Sequence, residues 1–227
     1  MRRRPGGLEE LLGEIGSCRV CVERSQGAAL PHEPRPVIRA SRTARIAICG
    51  QAPGTRVHAC GVPFLDPSGD RLRAWMAVTR EEFYDGTRVA IVPMGFCFPG
   101  LDTHGSDLPP RRECAPLWHD RVLAEMPGLE LILLVGAWAQ RWHLPFMRGA
   151  GMTATVAAWR EVTGADGAAM HFPLPHPSWR NNAWIKRNPW FEVELLPALR
   201  GAVRRALDAG PAPPAGPVAP KEVAAKK

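Results

Sequence analysis

Four short apolar runs, each stopped by glycine, proline or histidine and separated by helix-like sequence, constrain this chain more than any other feature. Ala44–Cys49 (ARIAIC) ends at Gly50, and Arg88–Pro93 (RVAIVP) and Leu129–Gly136 (LELILLVG) follow. Met170–Leu174 (MHFPL) then leads through Pro175 to His176. Runs this short and this apolar read as strands buried on both faces. Candidate helices lie between and after them, at Asp70–Val78, Arg111–Met126, Ala137–His143 and Phe191–Leu207. The alternation predicts an α/β fold, a three-layer α/β/α sandwich around a central, mainly parallel four-stranded sheet. Ligands of such sheets gather at the carboxyl ends of the strands. GQAPG follows the first run, PMGFC the second and HPSWRN the fourth, so the chemistry is expected on one edge.

The chain has 227 residues, enough for one substantial core. Residues 11–207 are expected to form it. Residues 1–10 read as a flexible N-terminus, and the Pro/Ala/Lys-rich tail 208–227 has no apolar face to bury and reads as disordered. No apolar run approaches the roughly 20 residues of a membrane span, and MRRRPGGLEELL lacks the apolar segment of a secretory signal. A cytoplasmic protein, nucleoid-associated in a bacterium, is therefore expected. Net charge is +7. The Arg2–Arg4 cluster and the tail carry four of those charges, so the total alone does not establish a nucleic-acid partner. The more telling cluster is Arg180, Lys186 and Arg187, interleaved with Trp179, Trp184 and Trp190. Basic residues among aromatic ones suit a nucleic-acid backbone and its bases, although a solvated helix face over buried Trp gives the same pattern.

Six cysteines without an export signal argue for metal ligation or buried thiols rather than disulfides. Cys18 and Cys21 form a C-x2-C pair, and Cys97 and Cys114 flank a loop containing Pro99, Pro109 and Pro110. Four thiolates suit a zinc ion or a [4Fe–4S] cluster, and four unrelated buried cysteines would give the same composition. Cys49 reads as a small hydrophobe within its strand, and Cys60 is left over.

GQAPG (50–54), GVPF (61–64) and HPS (176–178), in that order, resemble the motifs of the uracil-DNA glycosylase superfamily. The block spacing and the four cysteines resemble its iron–sulfur branch, family 4, over roughly residues 17–200. That resemblance implies a structural [4Fe–4S] cluster on Cys18, Cys21, Cys97 and Cys114, with zinc the alternative. It implies a monofunctional enzyme that hydrolyses the N-glycosidic bond of a flipped-out base, uracil or a related one, and leaves an abasic site. DNA is the implied partner, with no membrane, no nucleotide cofactor and a monomeric state expected. Gly50, Gln51 and Ala52 would border the base, and Phe64 would be its stacking platform. His176 would donate a hydrogen bond to the departing base's oxygen as negative charge builds. Ser178, Arg180, Lys186 and Arg187 would bind DNA.

Two departures bear on mechanism and substrate. The first motif carries Gln51 and Ala52 where relatives place a carboxylate, which makes Asp66 in DPSG the substitute catalytic residue; family 5 has a similar D-x-S-G. Asp66 could equally cap the helix that follows. Pro93 stands where family 4 has an Asn that reads the uracil edge, and proline has neither N–H nor side-chain donor. Met94, His58 and Asn181 are candidate replacements. A non-catalytic, damage-sensing DNA-binding member of the superfamily is the competing reading.

Overall fold

Each of the four apolar runs forms a strand in the computed structural model, which describes residues 7–162 and 169–212. Helices α1 (Leu8–Gly16) and α2 (Val20–Glu23) precede β1 (Ile46–Cys49). Helices α3 (Thr55–Cys60), α4 (Pro67–Met76) and α5 (Arg80–Tyr84) lead to β2 (Val89–Ile91). A π-helical turn at Ala115–His119 and α6 (Asp120–Ala124) lead to β3 (Leu131–Val135). Helices α7 (Ala137–His143), α8 (Gly151–Ala157) and α9 (Trp159–Val162) precede β4 (Met170–Leu174). Helix α10 (Asn182–Arg187), a second π-turn at Phe191–Leu195 and α11 (Leu196–Asp208) complete the order.

The sheet runs β2-β1-β3-β4, and all three pairings are parallel. Alternation along the strands sorts side chains onto two cores. Ile46, Ile48, Leu131, Leu133 and Phe172 pack with residues of α4, α5, α8, α10 and α11. Ala47, Cys49, Ala90, Ile132 and Leu134 pack on the other face with residues of α1, α6 and α7. This is a three-layer α/β/α sandwich. Among the described residues no helix is long and apolar enough to cross a membrane.

Some helix boundaries differ from those the sequence suggests, for local reasons. Helix α4 starts at Pro67 rather than Asp70, because Asp66 accepts a hydrogen bond from Gly69 N and proline suits the first helical turn. It stops short of Val78 where Ala77 turns left-handed at φ 54°. The stretch expected as a helix from Arg111 becomes helical only at Cys114 and passes through the π-turn first. Helix α1 begins inside the stretch 1–10 expected to fray, because Leu8, Leu11 and Ile15 form an apolar stripe that buries against the sheet's second face. Residues 1–6 and most of the tail 208–227 lie outside the described residues, although α11 reaches Asp208.

Leu133 lies at the centre of β3 with no exposed surface. Leu133→Ala should lower unfolding free energy by about 2–5 kcal/mol, as measured by chemical denaturation.

Candidate base-binding pocket and cysteine cavity

All four strands point their carboxyl ends at one edge, and the segments that leave them meet there. Gly50–Gly54 leaves β1, Pro93 follows β2, Gly136 follows β3, and His176 follows β4. Met94 N and Gly95 N donate to the carbonyls of Gly50 and Gln51 at 2.8 and 2.9 Å, which fastens the first two loops together. Gly136, at φ 85°, lies against His176; a Cβ there would sit 3.6 Å from the histidine's own.

Gly50, Gln51, Ala52, Phe64, Asp66, Ser68, Pro93, Asp107 and His176 line one cavity of about 110 Å³. For scale, an apolar cavity of roughly 150 Å³ accepts a benzene ring. Phe64 and His176 therefore face the same space. The cavity shares Gln51, Gly54, Asp66, Asp107 and His176 with a larger open groove, which also carries Arg56, Arg71, Ser178, Trp179, Arg180 and Asn181.

Phe64 is held in an unusual backbone conformation, with φ at 55°. Such a conformation in a bulky residue costs on the order of 1–3 kcal/mol and persists only where its surroundings fix it. Here Tyr84 donates to the Pro63 carbonyl at 2.8 Å. The Phe64 ring packs edge-on against Phe83, at 6.0 Å between centroids, and its Cζ would lie 3.6 Å from a Cβ on Gly50. The Phe64 carbonyl lies over Gly69, where a Cβ would come within 1.9 Å of the oxygen. Glycine in DPSG is thus a steric requirement.

Asp66 fulfils the capping alternative: Oδ1 accepts from Gly69 N at 3.0 Å and from Ser68 Oγ at 2.5 Å. Its Oδ2 takes no hydrogen bond among the described residues, and the carboxylate still borders the cavity. Asp107, from the proline-rich loop, is a second carboxylate there. Burial and the charge of Asp66 raise its pKa above the ordinary aspartate value, while Arg180 works against them. No motif marks Asp107; sequence reading treats its loop as the spacer between two cysteines.

His176 is largely enclosed, and burial lowers its pKa below the ordinary histidine value. Asp66 pulls the pKa up and Arg180 pushes it down. The imidazole is therefore neutral near pH 7 and able to donate one hydrogen bond. Asn181 Nδ2 donates to the His176 carbonyl at 2.6 Å and fixes the loop.

Ser178 and Arg180 line the groove, and Trp179 stands beside them 74% exposed. Arg71 donates to the Ser178 carbonyl at 3.1 Å. Lys186 and Arg187 are exposed on α10 but border neither the cavity nor the groove, and Trp184 is buried beneath them. Of the three candidates for reading the base edge, Met94 packs into the core of the opposite face and His58 packs at a tilt against His32 and Phe98. Asn181 lines the groove. Gln51, with Nε2 donating to the Leu108 carbonyl at 3.1 Å, is a polar side chain within the cavity itself.

Cys18, Cys21, Cys97 and Cys114 border a separate, mainly apolar cavity with Ile15, Phe96 and Trp118. None forms a disulfide. Phe96 N donates to Cys114 Sγ at 3.3 Å. Burial raises the thiol pKa of Cys21, pushes that of Cys97 up to about 12 and raises that of Cys114 strongly. A positive metal centre would reverse that preference, because metal ligation takes the thiolate. The donor set fits either an iron–sulfur cluster or zinc.

A family model of the uracil DNA glycosylase superfamily matches residues 39–200. The chain belongs to that superfamily. The matched span contains Gly50, Phe64, Asp66, Asp107 and His176 of the pocket together with Cys97 and Cys114, whereas Val37 of the pocket, Cys18 and Cys21 precede it.

Two outcomes follow from this geometry. Gly69→Ala should displace the Phe64 loop and lower stability by about 2 kcal/mol or more, read as a fall in Tm. In an NMR titration of the histidine rings, His176 should titrate below the ordinary value of about 6.5. Asp66→Asn should lower its midpoint further and Arg180→Gln should raise it, since those charges act with opposite sign.

Proposed function

We propose that the protein is a monofunctional DNA glycosylase that hydrolyses the N-glycosidic bond of a base rotated out of the DNA stack, leaving an abasic site. The observation that carries this reading is one cavity holding Phe64 and His176 together, opening into a groove with Ser178, Trp179 and Arg180. Superfamily membership supports the reaction class and the DNA partner.

The chemistry follows from the residues. Breaking the bond between C1′ and the base leaves positive charge on the sugar and negative charge on the base, and water supplies the new bond at C1′. Phe64 offers a flat apolar face for the extruded base. Neutral His176 donates a hydrogen bond to an oxygen of the departing base, where charge develops in a largely water-free site. Asp66 and Asp107 sit where pocket and groove join, placed to favour the sugar cation. Asp107, with its raised proton affinity, is the better group to orient and deprotonate water, while Asp66 is half committed to its helix cap. Ser178 and Arg180 take phosphates. Deaminated or oxidised bases bearing a carbonyl opposite His176 are the expected substrates, with uracil and hypoxanthine first. Pro93 at the cavity wall leaves edge reading to Gln51 and to backbone groups.

The four-cysteine cavity is assigned to a structural [4Fe–4S] cluster, which when bound would pin the segment around α2 to the loop after β2. Purified protein should be brown, with iron and acid-labile sulfide. Cys97→Ala should lose both. Colourless protein that contains zinc would overturn the cluster assignment and leave the glycosylase assignment standing.

The reaction is tested with oligonucleotides bearing uracil, hypoxanthine or xanthine, treated with alkali after incubation. Strand breaks at one of these bases are expected, and His176→Ala should slow their appearance by about 10²–10³-fold. Retained DNA binding with no breaks at any base would favour the damage-sensing alternative. Arg180→Gln should weaken DNA binding equally across sequences and reduce the slope of log affinity against log salt by about 1, as measured by fluorescence anisotropy.

A further inference from the structure

On the face of the sheet away from Phe64, one cluster of ligand-type side chains plays no part in the reaction above. Cys49 ends β1, His119 ends the first π-turn, and His143 ends α7. One ligand atom from each lies within 4.8 Å of the others. We propose that these three residues form a second metal site, suited to a divalent ion of zinc's class and separate from the four-cysteine cavity.

The donor chemistry fits. One thiolate and two imidazoles form a borderline-soft set that zinc accepts in tetrahedral geometry, with a fourth position left over. His171 of β4 is a further imidazole nearby, its ring centroid 5.5 Å from that of His143. His119 Nε2 and His143 Nε2 are 2.9 Å apart. Without an ion, one of them must donate its proton to the other; with an ion, both present lone pairs to one centre.

The surroundings favour the ligand forms. Cys49 and His119 have no exposed surface, and His119 Nδ1 is sealed from water beside the Pro93 carbonyl, the kind of outer partner that orients a metal-bound imidazole. The rings of His119 and His143 meet edge to face with centroids 5.1 Å apart, so one ion can reach both. A divalent ion would compensate the charge of the Cys49 thiolate, which is otherwise strongly disfavoured by burial. The π-turn adds geometric support. An extra residue per turn is frequent at functional sites, and here the turn begins after Cys114 and ends on His119. An ion here would clamp the end of β1, one residue before Gly50 of the base pocket, to the helices of the opposite layer.

The test is metal content in the full-length protein, with the four-cysteine site filled. Iron, sulfide and zinc are counted per chain in the parent, in His143→Gln and in Cys49→Ala. The expected result is one divalent ion in the parent beyond the content of the four-cysteine site, lost in both variants while iron and sulfide stay unchanged. Equal metal content in all three overturns the proposal. The parent alone gives a second reading should a variant fail to fold. Exchange with Co²⁺ should produce tetrahedral visible absorption with a thiolate-to-cobalt band, at one equivalent per chain; absence of that signal also overturns it.

Discussion

The parallel ladder is the constraint from which the rest follows. Because β1, β2, β3 and β4 all run in one direction, their carboxyl ends and the loops that leave them share one edge. Parallel strands also need cover on both faces, and the chain meets that need with two cores of different character. The face bearing Ile46, Ile48 and Phe172 is packed with large side chains. The other bears Ala47, Cys49 and Ala90, small residues that leave room for α1, α6 and the histidines. One strand, β1, thus serves the pocket through the residue that follows it and the proposed metal site through its last residue.

The pocket combines two opposing demands. Extrusion of a base needs an apolar, close-fitting surface, whereas bond cleavage needs charge within reach of it. Rigid backbone reconciles them: Phe64 sits over Gly50 in a left-handed conformation, and Gly69 passes under its carbonyl without a side chain to collide. The Phe64–Gly69 turn that holds the ring therefore also places Asp66. His176, between the opposing influences of Asp66 and Arg180, stays neutral because burial outweighs them.

Much of this was legible in the sequence, and the legible part has a common cause. Strand positions and the α7 boundaries follow from apolar runs and from glycine and proline punctuation, which act locally, while the meeting of Phe64 with His176 was implied by the resemblance of GVPF and HPS to the superfamily's motifs. The four cysteines were recognisable by type and order. What sequence could not show depends on side-chain direction in three dimensions. Asp107 reaches the cavity because its loop folds back to Gly54, where a Cβ would lie 3.2 Å from its Oδ2. Lys186 and Arg187 share a basic segment with Arg180, yet α10 turns them away from the groove. Cys49, an apparent core hydrophobe, meets two histidines that lie about seventy and ninety residues further along.

The π-turn at Ala115–His119 separates two sets of contacts along one helical path. Each residue of an α-helix advances the side chain by about 100° around the axis. The wider turn takes smaller angular steps, so Cys114, which borders the cysteine cavity, and His119 come nearer to one face than an α-helix would put them, and Cys114 and Val122 share the core on the sheet's second face. Shortening the segment by one residue would keep every ligand in the chain and still rotate one set away from its target. Spacing within this stretch is therefore itself a structural element, as specific as the identities of the residues it separates.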